Sequence, residues 1–167
     1  MKTWILRLWL FILLSFLVGS LSSLFLWGLA LIQRIPPFLW ALPIMAFLLH
    51  GLAGFDFSKK GMNYFLGILA SVKTSTFPSH SFLIAPYALI TTWMSQLAGA
   101  SVGREGTAVL MGASIGEGLA EKYNEHKGIW IRIGMSAGFA SIFGTPLAGC
   151  LFALEVGVIG KFHLKSI

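Results

Sequence analysis

The run from Leu8 to Ile32, LWLFILLSFLVGSLSSLFLWGLALI, contains no charged residue. About 20 consecutive apolar residues suffice to cross the hydrocarbon core of a bilayer as a helix. In lipid, every backbone N–H and C=O must find its partner within the protein, so a single spanning segment has to be helical. The run is too long for a signal-peptide core, which takes roughly 7–15 apolar residues, and no A-x-A pattern follows it. The expectation is a spanning helix with Lys2 and Arg7 on the cytoplasmic side, as the positive-inside rule places them.

The remaining sequence extends the same reading. Apolar residues make up 56% of the 167 and charged residues 11%, against roughly 25% charged in a soluble domain. The expected class is an all-α integral membrane protein: one transmembrane domain over residues 1–167, multi-pass, in a plasma or inner membrane. QRIPP, Gln33 to Pro37, ends the first helix because its prolines cannot continue one. Phe38 to Ala53 is a second apolar segment, and a polar break, GFDFSKKG, follows at Gly54 to Gly61. Met62 to Ala70 is too short to cross, and Ser71 to Ser81 is a loop. Phe82 to Ala98 is a further span with Pro86 in its first turn. Thr107 to Ala120 is a Gly-rich helix, Glu121 to Gly128 a loop, and Ile129 to Ile142 and Pro146 to Ile159 two more helices split by FGTP.

Several of these segments are short or interrupted. Broken helices at membrane depth are tolerated where they line a cavity or lie buried in protein, and such breaks point to ion or substrate sites. Gly112 with Gly116, and Gly134 with Gly138, form GxxxG pairs that let helix backbones approach closely; packing accounts for them fully. The single cysteine, Cys150, lies in an apolar run and reads as a small packed residue.

Net charge is +6, but the lysines and arginines are scattered between apolar runs, with no basic stripe carrying interleaved aromatics. That argues against a nucleic-acid partner. The four histidines show no metal-ligand spacing. GASIGEG lacks the Lys-Ser/Thr ending of a phosphate loop, and no nucleophile elbow is present. An enzyme is therefore not expected, nor a cofactor or a metal.

Three stretches remain. GREGT, Gly103 to Thr107, sets an Arg and a Glu between glycines within an apolar region. A helix opening there would present N–H groups without internal partners and the positive end of its dipole, which suits an anion. Glu105 stands where such an anion would bind and can leave on protonation, which makes it a candidate gate and proton carrier. The alternative is an Arg104–Glu105 pair that merely stabilises a loop. SKKGMNYFLG, Ser58 to Gly67, repeats the pattern of a polar Gly-containing turn opening a short helix. Asn63 could cap it or donate to an anion, or the turn could be a plain one with topogenic lysines. In FGTPLAGCLFALEV, Thr145 and Pro146 read as the cap and first residue of a helix, and Glu155 as a boundary or interface residue.

GREGT with AVLMGASIG, followed by SAGFASIFGTPLAGCLFALE, resembles the CLC family of chloride channels and anion/proton exchangers in both motif order and spacing, over roughly Phe38 to Val156. The resemblance implies transmembrane movement of a small monovalent anion, chloride or fluoride. It matches Glu105 to the family's gating glutamate. It matches Gly103, Arg104, Gly106 and Thr107 to the anion-binding loop around that glutamate, and Gly61, Met62 and Asn63 to a second anion-coordinating turn. KKGMN in place of the GSGIP of chloride-selective members, together with Thr107 in place of Pro, resembles the fluoride/proton antiporter branch. Leu110, Tyr64 and Phe65 depart from that branch, and Val156 stands where many chloride/proton exchangers carry an inner proton-transfer glutamate. The family fold has two inverted halves, and the resemblance covers the first, with its broken and re-entrant helices. The expected partners are chloride or fluoride, protons, the bilayer, and either a second copy or a complementary chain carrying the C-terminal half. The alternative is a membrane scaffold with no transport of its own.

Overall fold

A computed structural model describes residues 2–35 and 83–158, with residues 44, 47 and 48. The segments expected across residues 36–82 lie outside this description apart from those three. Every regular element among the described residues is an α-helix: α1 (Lys2–Ile32), α2 (Ile84–Leu97), α3 (Arg104–Lys122), α4 (Lys127–Phe143) and α5 (Pro146–Val158).

α1 begins nearer the N-terminus than its uncharged run, because Lys2 and Arg7 are good helix formers that do not interrupt it. From Trp4 to Ile32 it is long and apolar enough to cross a membrane. It is apolar on all sides, yet only one seam is buried: Leu10, Leu14, Val18, Ser22, Phe25 and Leu29, a repeat of three and four residues, with Gly28 beside it. Trp4, Ile12 and Phe16 on the other sides are exposed, as a lipid-facing surface requires.

α3 and α4 form the tightest pair. A Cβ placed on Gly112 would collide with the carbonyl oxygen of Gly134, and one on Gly134 with that of Gly112. Gly116 stands in the same relation to the carbonyl of Trp130, and Gly138 to that of Ala108. The two GxxxG pairs therefore face each other, and the helices pack backbone against backbone, as small-residue spacing in a membrane helix predicts. Around this contact, Val109 and Ala113 of α3 pack with Ile84 of α2 and with Ile131 and Met135 of α4. Phe25 and Leu29 of α1 pack with Ala85 and Leu89 of α2 and with Ala108 and Met111 of α3.

Polar contacts set the heights of the helices. Arg7 of α1 bonds Glu125 in the α3–α4 turn at 3.1 Å, so this turn lies at the end where α1 starts. In the same turn, Lys127 Nζ stands 3.7 Å from both the fully buried Glu117 and Glu121, tying the last turns of α3 to the first of α4. Further along, Ser141 of α4 donates to Ser22 of α1 at 2.7 Å. The Trp93 indole N–H of α2 donates to the Phe25 carbonyl at 3.2 Å, its ring filling the space a side chain at Gly28 would need. α3 thus runs towards the start of α1 and α4 runs back.

One sequence expectation needs correction, and one helix end gains a specific cause. Cys150 is exposed rather than packed: Gly149, one residue earlier, faces α4, against Ser136 and Ala140, and a helical step of about 100° turns Cys150 away. α4 ends where expected, but for a reason specific to Gly144, whose φ of 66° makes a left-handed cap with its N–H on the Ala140 carbonyl at 2.8 Å. Pro146 then opens α5, and Gly149 N–H donates to the Thr145 carbonyl at 3.1 Å.

Candidate functional site

α2 ends in a turn that delivers GREGT. Gly99 takes a φ of 84°, which glycine adopts without strain. Ala98 N–H bonds the Met94 carbonyl at 3.1 Å and Ala100 N–H the Ser95 carbonyl at 3.0 Å. The Gln96 side-chain amide donates to the Val102 carbonyl at 3.1 Å, fixing the approach to Gly103.

α3 starts three residues earlier than the sequence predicts. Gly103 is the N-cap, extended at φ −66°, ψ 131°, and Arg104 and Glu105 already belong to the first helical turn. The displacement has a physical cause. Arg and Glu are good helix formers, and a carboxylate in the first turn is favoured by the helix dipole. Gly103 has no side chain with which to cap the helix. The N–H groups that a Ser, Thr or Asp cap would have taken are thereby left to another acceptor.

Glu105 reaches towards that end. Its Oε2 lies 2.9 Å from where a Cβ on Gly103 would stand, so the carboxylate is folded back over the helix start. Gly103, Arg104, Glu105 and Gly106 are all exposed, and nothing lies within 4 Å of a Cβ added at Gly106. Among the described residues Arg104 and Glu105 form no ion pair with each other, unlike the loop-stabilising alternative. The mouth is therefore an open helix N-terminus with one carboxylate curled over it, at the end of α3 where Ala108 joins the cluster of Phe25 and Leu29, towards the far end of α1.

Thr107 is placed differently. It is buried, and its hydroxyl lies 2.8 Å from that of Thr92 on α2. Thr92 donates to the Ala88 carbonyl at 2.7 Å, so Thr107 is the donor between the two hydroxyls. Its side chain joins α2 to α3 and turns away from the mouth. Thr107→Val should accordingly cost about 1 kcal/mol of stability and leave anion handling nearly unchanged. A denaturation titration alongside a flux assay checks both halves of that expectation.

Gly61, Met62 and Asn63 lie outside the described residues, so a second turn facing this mouth is not described. Sequence reasoning also missed Thr92, Glu117 and the Arg7–Glu125 pair. For Glu117 a signal existed: a carboxylate flanked by glycines on an otherwise small and apolar helix.

A charge-poor helical bundle, one helix long and apolar enough to cross a bilayer, helices packed through glycines and an exposed helix N-terminus together fit a helical membrane protein. The chain belongs to the voltage gated chloride channel, or CLC, family, whose profile matches residues 44–167. It is similar to a chloride/fluoride channel protein of Pseudomonas syringae pv. tomato, with 38% identity over 165 residues, 93% of this chain and 35% of that protein. A ClC-type chloride channel, ClcB, of Yersinia pseudotuberculosis is 38% identical over 71 residues, 41% of this chain and 17% of its own length. Among solved structures, a CLC-type fluoride/proton antiporter superimposes with a TM-score of 0.78 at 32% identity, covering 92% of this chain and 40% of that one. The chain thus spans a little over a third of the length of these two long matches, and its helices are those of part of the CLC fold.

Proposed function

We propose that this chain contributes one side of a transmembrane pathway for a small monovalent anion, with the anion held at the N-terminus of α3 and Glu105 as its gate. The observation that carries the reading is the Glu105 carboxylate folded over a helix start whose cap, Gly103, has no side chain. An ionised carboxylate occupies an anion site. Once protonated, it no longer competes for the N–H groups and can swing out, so anion entry and proton uptake become alternatives at one place.

Of the two anions, fluoride with counter-moving protons is favoured over chloride. The reading rests on the GREGT and KKGMN motifs, and it is supported by similarity over nearly the whole chain to a chloride/fluoride channel protein and a fluoride/proton antiporter. Gly61, Met62 and Asn63 are proposed as the second turn holding the anion, with Arg104, Gly106 and the backbone of Thr107 completing the first. The rest of the pathway is assigned to a complementary chain, further polypeptide or a second copy of this one. On this reading the protein lies in a plasma or inner membrane with its N-terminus cytoplasmic.

The test is efflux from liposomes carrying this chain alone, loaded with fluoride or chloride, with external pH recorded. Fluoride loss faster than chloride loss, accompanied by proton movement, is the expected result. Chloride loss with no pH change would replace antiport by a channel. No flux from folded, inserted protein would support the competing reading, a scaffold half that works only with its complement, and co-expression with a C-terminal-half chain would then be required to restore flux.

A further inference from the structure

A groove of about 370 Å³ opens between the start of α1 and the start of α4, at the opposite end of the bundle from Glu105. Its walls are apolar, formed by Trp4, Leu8, Phe11, Ile129, Trp130 and Ile133, with the rings of Phe11 and Trp130 5.1 Å apart. At its edge lie Arg7, Glu125 and His126. The apolar span of α1 begins at Trp4, which is 78% exposed, so the groove sits at the depth where a bilayer changes from headgroup to acyl chain. Tryptophans are enriched at that level.

The polar edge selects among possible occupants. Arg7 spends its Nε on Glu125 at 3.1 Å, and with a side chain 55% exposed it still presents the outer fork of its guanidinium. That fork matches the paired oxygens of a phosphate. Glu125 brings a carboxylate to the same place. A headgroup carrying phosphate alone would set its charge against this carboxylate, and a quaternary ammonium has no N–H to give it. A headgroup with both a phosphate and a primary ammonium complements the pair. We propose that this groove binds a phospholipid of the phosphatidylethanolamine type, its upper acyl chain against Leu8, Phe11 and Ile133, its phosphate on Arg7 and its ammonium on Glu125.

The experiment is native mass spectrometry of the full chain in detergent with equal amounts of phosphatidylethanolamine, phosphatidylcholine and phosphatidylglycerol of the same acyl chains. The expected result is retention of phosphatidylethanolamine over the other two by about fivefold, the scale of an exposed ion pair. Glu125→Gln should erase the preference over phosphatidylglycerol. Leu8→Trp and Ile129→Trp, at residues 65% and 55% exposed, should fill the groove and lower retention while helix content by circular dichroism stays unchanged. Equal retention of the three lipids, a preference for phosphatidylglycerol, or no lipid retained would overturn the proposal. So would undiminished retention in a folded groove-filling variant, or an intact preference in Glu125→Gln.

Discussion

Glu105→Gln is expected to abolish proton movement while anion flux persists. Glutamine keeps the size of the protonated side chain and loses the charge proposed to compete for the α3 N-terminus. With no carboxylate to bind there and no proton to carry, anion passage should run down its gradient without a pH change. The loss of coupling should be complete rather than graded, because the residue is proposed to be the proton carrier itself rather than a neighbour that tunes one. Stability should hardly change: Glu105 is exposed, and exposed substitutions stay within about 0.5 kcal/mol. The readout is anion efflux from liposomes with external pH followed in parallel, using whichever form of the protein supports flux in the wild type. Undiminished proton movement in this variant would remove Glu105 from the mechanism.

The second large effect concerns the α3–α4 contact. Gly112→Leu should unfold or separate the bundle. Its Cβ would meet the carbonyl oxygen of Gly134, which is backbone and cannot swing aside. Relief requires the helices to part, and parting them undoes the neighbouring contacts of Gly116 with Trp130 and of Gly138 with Ala108. A cost of about 3 kcal/mol or more is expected, the upper range for overpacking. Gly19→Leu is the matched control, since nothing lies within 4 Å of a Cβ added there. It should behave as the wild type in a detergent denaturation titration. Similar midpoints for Gly112→Leu and the wild type would contradict the backbone-to-backbone packing.

These contacts differ in how far the sequence announces them. The glycine pairs are legible because a four-residue spacing of small residues on an apolar helix serves little other purpose. The helix ends at Gly144 and Pro146 are legible for a similar local reason. The start of α3 is less so: glycine is compatible with both loop and cap, and only its extended backbone at Gly103 decides that Arg104 and Glu105 enter the helix. That small shift matters, because it turns Glu105 from a loop residue into a first-turn carboxylate folded over its own helix end. The motif alone groups Thr107 with the mouth, whereas its rotation towards Thr92 depends on where α2 lies. Arg7 and Glu125 are 118 residues apart, a pairing that no local pattern foretells. Glu117 is similar: its burial follows from α4 closing over α3 and its partner Lys127 from the turn between them.

The most direct measurement of the central claim is fluoride and chloride binding to purified wild type and Glu105→Gln by isothermal titration at matched pH. If the carboxylate and the anion share the α3 N-terminus, Glu105→Gln should bind tighter than the wild type, by about tenfold for a competing interaction near 1.4 kcal/mol. Equal affinities in the two proteins, or binding lost in Glu105→Gln, would contradict the account.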